Sequence, residues 1–122
     1  MLNKIVPIAA VSYTVLLATV CLITLKNVPD IGVSFGDKIF HFLAYGLLTI
    51  LWFGTFLLNF KMANKPAVYY ALILAVVFGI IIEVLQGTLT VSRSLDVYDM
   101  VANTLGALLA SLILIVKNKV LR

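Results

Sequence analysis

Four apolar stretches, Ile5–Leu25, Ile39–Leu58, Ala67–Gln86 and Val97–Val116, take up most of a chain of 122 residues. A helix that crosses the hydrocarbon core of a bilayer needs about 20 apolar residues, and each stretch supplies roughly that many. The remainder is two short termini and three connectors, too little for a soluble domain. Hydrophobic residues reach 63% and charged residues only 11%, whereas soluble domains run near 45–50% and about 25%. The expected fold is an all-α polytopic membrane protein, a four-transmembrane-helix bundle forming one unit over residues 1–122.

Lys4 precedes the first apolar run, as in a signal peptide. The run exceeds the usual h-region of about 7–15 residues, and no small-x-small site follows it, so an uncleaved helix is expected. Cys21, the single cysteine, follows the bulky Val20 and reads as a small buried hydrophobe rather than a lipidation or disulfide position. Four spans put both termini and the second connector on one face. That face carries Lys4, Lys61, Lys65, Lys117, Lys119 and Arg122; the other carries Lys26, Lys38 and Arg93. In short segments this bias sets orientation, which predicts a cell-membrane protein with cytoplasmic termini. The net charge of +4 is thus read as topology and not as nucleic-acid affinity.

Every acidic residue, Asp30, Asp37, Glu83, Asp96 and Asp99, falls near the opposite face, together with the only histidine, His41. Residues three or four apart share a helix face. Asp37, His41 and Tyr45 therefore form one stripe, Glu83, Gln86 and Gly87 a second, and Asp96, Asp99 and Asn103 a third. At 1.5 Å per residue, Asn103 lies about 9–10 Å below the mouth of its helix. An Asp at a helix centre costs about 2.5–3.5 kcal/mol on insertion scales, and less near the interface. Glu83, Asp99 and Asn103 should therefore turn into the bundle, where partners exist. Below Asn103 the stripe continues as Gly106, Ala107, Ala110 and Ser111, a small-residue face suited to close packing within the bundle or to self-association.

Each polar residue has a plainer explanation. Asp96 and Asp99 suit the first turn of a helix whose positive end favours them. Arg93 forms either a rim ion pair with Asp96 or a bidentate cradle for phosphate or carboxylate. Tyr13, Tyr69 and Tyr70 read as interface anchors or packing, and Trp52 as core or lipid-facing. One histidine and several carboxylates do not make a closed zinc site. Oxygen-rich ligation of Mg²⁺, Mn²⁺ or Ca²⁺ is chemically allowed, although no cofactor is required. No phosphate-binding Gly loop, HExxH or GxSxG is present. A proton or ion pathway is a third, weaker option, because the polar groups stop about halfway across and a monomer offers no continuous route.

Asp37-Lys38-x-x-His41-Phe42-x-x-Tyr45, then Glu83-x-x-Gln86, then Arg93-x-x-Asp96-x-x-Asp99-x-x-x-Asn103-x-x-Gly106 occur in that order. Together they resemble the motifs of VanZ-like membrane proteins over roughly Asp37 to Ala110. The resemblance implies a small integral membrane protein of the cell envelope. The family is named for a member associated with resistance to teicoplanin, a lipoglycopeptide antibiotic. It suggests a site for a membrane lipid, a lipid-linked wall precursor or an acylated antibiotic. In that site His41, Glu83 and Asp99 would handle protons, while Asp37, Tyr45, Gln86, Arg93, Asp96 and Asn103 bind the ligand. The competing reading is a non-catalytic clamp that locks helices 2, 3 and 4 while a partner protein carries the function.

Overall fold

The computed structural model describes residues 2–23, 34–89 and 97–120. They form four helices, α1 (Leu2–Ile23), α2 (Ser34–Leu58), α3 (Asn64–Leu89) and α4 (Val97–Val120), with no strand among the described residues. All four are long and apolar enough to cross a membrane. The helices begin a few residues before the first three apolar stretches, because polar residues such as Asn64 and Ser34 sit comfortably in a first turn.

The burial pattern is that of a bundle immersed in lipid. Ile8, Leu43 and Leu112 point outward and are 65%, 63% and 57% exposed. His41, Glu83, Gln86, Asp99 and Asn103 are buried instead. Water would reverse that arrangement, whereas hydrocarbon rewards it, because polar groups in lipid must find partners inside the protein. Buried hydroxyls bond locally: Thr49 Oγ1 donates to the Tyr45 carbonyl and Ser111 Oγ to the Ala107 carbonyl, both at 2.8 Å.

α2 and α3 pack against each other, and each also touches α1 and α4, while α1 and α4 do not meet among the described residues. The α2–α3 connector turns at Lys61, whose φ of 54° is left-handed. Met62 N–H caps the Phe56 carbonyl there at 3.1 Å. The same connector holds α1. Pro7 lies inside α1 and has no N–H for the carbonyl four residues earlier, that of Asn3. Asn59 Nδ2 donates to this oxygen at 2.8 Å. A proline and an asparagine distant in sequence thus tie the start of α1 to the end of α2.

Two further bonds hold α1 on α2 at mid-height. Tyr13 Oη donates to the Ala44 carbonyl at 2.6 Å, and Trp52 Nε1 donates to Thr14 Oγ1 at 2.9 Å. Both aromatic residues are half-buried, so each serves packing and a specific bond. Tyr69 and Tyr70, near the start of α3, are exposed.

The small-residue face of α4 packs inside the bundle, against α2. A Cβ built on Gly106 would fall on the Phe42 carbonyl oxygen and lie 2.9 Å from its carbon. On the facing helix, a Cβ at Gly46 would stand 3.3 Å from the Gly106 oxygen. The two backbones touch at this point, in the manner of small-residue contacts between membrane helices. This contact sets the spacing of the helices on which the polar residues sit.

Candidate functional site

The polar cluster lies at the end of the bundle where α2 and α4 begin and α3 finishes. His41 is one turn into the apolar part of α2, Glu83 is in the last turns of α3, and Asp99 is in the first turn of α4. One ligand-capable atom from each lies within 4.8 Å of the others, and all three residues are buried. Three helices therefore converge here.

Among the described residues, α2 and α4 are joined by three polar side-chain contacts. His41 Nδ1 is 3.0 Å from Asn103 Oδ1, an oxygen that can only accept, so the ring donates from Nδ1. Its other nitrogen, Nε2, faces Asp99 Oδ2 at 3.6 Å. The second carboxylate oxygen, Oδ1, receives Lys38 Nζ at 2.6 Å. Asp99 and Asn103 have short side chains, and they reach α2 because Gly106 lets the helices touch one turn below. His41 also stacks on Tyr45, one turn deeper, with ring centroids 6.3 Å apart and planes 23° apart.

α3 approaches from the third side. Gly79, one turn before Glu83, leaves room for the other two helices: a Cβ there would meet Asn103 Nδ2 at 3.0 Å and Tyr45 Cε2 at 3.1 Å. Tyr45 is 0% and Asn103 1% exposed, yet Tyr45 Oη and Asn103 Nδ2 have no hydrogen-bond partner among the described residues. An unpaired buried donor costs about 1–3 kcal/mol, so two of them in one cluster call for an explanation.

Gln86 turns the other way. Its Nε2 donates to the Cys21 carbonyl of α1 at 2.7 Å, which ties α1 to the polar end of the bundle. Cys21 itself is buried, as its sequence context implies. Gln86→Leu is expected to cost about 1 kcal/mol, the usual worth of a single bond, and to loosen α1. The rate of Cys21 alkylation in detergent micelles should rise several-fold. An unchanged rate would remove Gln86 as the tie.

Among the residues expected at the site, His41, Tyr45, Glu83, Asp99 and Asn103 come together and Gln86 borders them. Arg93 and Asp96 lie outside the described residues, as does the Asp37 side chain. Three participants are new. Lys38 is the cation on Asp99; its place three residues before His41, on the same face, was a usable signal. Gly79 was visible as a glycine one turn from Glu83 in an otherwise apolar helix. The Cys21 carbonyl leaves no sequence signal, because it is backbone.

The three residues on α2, α3 and α4 offer one imidazole nitrogen and carboxylate oxygens to a cation, and Tyr45 and Asn103 offer donors to an anion. Comparison with known proteins gives consistent context. No solved structure matches the chain. An uncharacterized protein of Schizosaccharomyces pombe is 35% identical over 91 residues, which is 75% of this chain and 54% of that protein. The matched segment thus spans about half the length of this relative. The VanZ/LLP1 family model matches residues 4–118, and with nearly its whole length covered the chain belongs to that family.

Proposed function

We propose that this multi-pass protein binds an amphipathic envelope molecule at the α2–α3–α4 polar cluster, on the extracytoplasmic side of the cell membrane. The ligand class is a lipid headgroup, a lipid-linked wall precursor or a lipoglycopeptide such as teicoplanin, whose sequestration would lower antibiotic susceptibility. Because a relative occurs in a yeast, a headgroup common to membranes in general is favoured over a bacterial wall precursor. In this reading His41 and Glu83 would exchange protons with such a ligand, and Lys38, together with Arg93 as the sequence suggests, would attract its anionic part.

The observation that carries this reading is the pair of buried donors, Tyr45 Oη and Asn103 Nδ2, left without partners among the described residues. A cluster serving only as a clamp would satisfy its polar atoms internally, since half-satisfied networks are worse than apolar packing. The bonds from His41 to Asn103 and from Lys38 to Asp99 do clamp α2 to α4. Asn103 therefore serves both, its Oδ1 in the clamp and its Nδ2 in the site.

Tyr45→Phe separates the two readings. The change removes a hydroxyl with no partner among the described residues, so melting temperature in detergent should stay the same or rise slightly. Retention of co-purifying phospholipid, measured by native mass spectrometry, should fall about tenfold, the worth of one lost hydrogen bond of about 1.4 kcal/mol. Undiminished retention in Tyr45→Phe would favour the clamp.

A further inference from the structure

We infer that His41, Glu83 and Asp99 bind a divalent metal ion of the Zn²⁺ or Mn²⁺ class, through which the protein engages the anionic group of its ligand. This inference rests on the ligand-site reading for its purpose but not for its geometry. The three ligand atoms lie within 4.8 Å of one another. A triangle of that size has its centre at most about 2.8 Å from each corner, and Zn²⁺ sits about 2.0–2.2 Å from nitrogen and oxygen ligands. Side-chain adjustments of less than about 1 Å would close the difference, well within the freedom of rotamers. Each ligand comes from a different helix, so the backbone already holds the three in place.

The atoms around these ligands are arranged as they are around metals. A ligating histidine commonly donates its second ring N–H to a carbonyl or carboxylate, which fixes the tautomer and aims the free nitrogen. His41 does this through Nδ1 to Asn103 Oδ1 at 3.0 Å, which turns Nε2 toward Asp99 Oδ2 at 3.6 Å. A metal ion between Nε2 and Oδ2 would take one ligand from each. Asp99 is itself oriented, because Lys38 takes Oδ1 and leaves Oδ2 turned toward the ring.

A second, independent observation points to what the metal would carry. Two buried donors without a partner among the described residues, Tyr45 Oη and Asn103 Nδ2, belong to residues that touch His41 by stacking and by hydrogen bond. Three protein ligands leave coordination positions open, as in sites that bind water or substrate rather than closed structural sites. An anionic ligand entering the cluster would find these donors available. The chemistry of the set, one imidazole and two carboxylates without thiolate, suits Zn²⁺ or Mn²⁺ better than the all-oxygen preference of Ca²⁺ or Mg²⁺.

The test uses full-length protein purified in detergent, stripped with EDTA and titrated with Zn²⁺, Mn²⁺, Mg²⁺ or Ca²⁺. One Zn²⁺ or Mn²⁺ per chain should bind and raise the melting temperature, with Mg²⁺ and Ca²⁺ at least tenfold weaker. Glu83→Gln and Asp99→Asn should each weaken binding at least tenfold, and Asn103→Leu about 10–100-fold through loss of the histidine's orienting bond. Should the variants fold poorly, pulsed EPR of Mn²⁺ bound to the unaltered protein should show one directly coordinated nitrogen. Absence of saturable binding, binding unaffected by Glu83→Gln, or absence of nitrogen coupling would each overturn the assignment; a proton on His41 Nε2 would then suffice. Phospholipid retention measured in parallel separates the two proposals. Metal-free protein that retains lipid in a Tyr45-dependent way would refute the metal's role and leave the ligand site standing. Metal binding without lipid retention would do the reverse.

Discussion

Gly106→Ala is expected to be the most damaging single-methyl change in this protein. The added Cβ would fall on the backbone carbonyl of Phe42, which cannot swing aside as a side chain would. Either α4 moves away from α2 or the chain does not fold. Overpacking of a tight interface costs about 1–3 kcal/mol, and the upper end applies because the atom met is backbone. Gly46→Ala is the internal control. Its Cβ would stand 3.3 Å from the Gly106 oxygen, a tight but tolerable contact, so its cost should stay under about 1 kcal/mol. Reversible unfolding in mixed micelles can rank the two. Separation of α2 from α4 would also pull Asn103 from His41, so Gly106→Ala should lose ligand retention together with stability. Equal stability of the two variants would show that the helices are not in backbone contact.

Lys38→Met should be nearly as costly, and for an electrostatic reason. Asp99 is fully buried, whereas the Lys38 side chain is 21% exposed and places its ammonium 2.6 Å from the carboxylate. Removing one partner of a buried pair costs about 3–5 kcal/mol, because the other charge remains in a medium that does not solvate it. A value of about 3 kcal/mol is expected here, the lower end of that range, because the Lys38 side chain is itself partly exposed. Asp99→Asn added to Lys38→Met should recover much of the loss, because the charge that lacked its cation is gone. A double-mutant cycle in detergent measures this coupling directly. Additive effects of the two substitutions would mean that the ion pair contributes nothing. Arginine at position 38 tests geometry as distinct from charge, since its planar fork fits a single buried oxygen less well than an ammonium does.

The helices were readable from sequence with little error because length and apolarity are local properties. Lys38–Leu58 and Asn64–Gln86, the membrane-crossing portions of α2 and α3, nearly coincide with the apolar stretches Ile39–Leu58 and Ala67–Gln86. The grouping of His41 with Tyr45 and of Asp99 with Asn103 was equally readable, since helical spacing alone puts them on shared faces. Their common level followed from counting residues from each helix end.

Partnership across helices was not readable in the same way. Gln86 could have faced the cluster, yet its amide reaches the Cys21 carbonyl of α1. Trp52 and Tyr13, whose composition suggested packing or anchoring, donate specific bonds between α1 and α2. Pro7 and Asn59 complement each other over more than fifty residues, and neither signals the other. In each case the outcome depends on how a helix is rotated about its axis, which spacing along one helix does not constrain.

The chain's own order of residues determined that it would cross a membrane four times and carry His41, Glu83 and Asp99 at one level, because both properties need only helix rise and the cost of charge in lipid. Which of those groups meet was decided by the tertiary structure alone. The backbone contact at Gly106 and Phe42 and the clearance at Gly79 set the separations among α2, α3 and α4. Short side chains such as Asp99 and Asn103 bridge helices only at those separations.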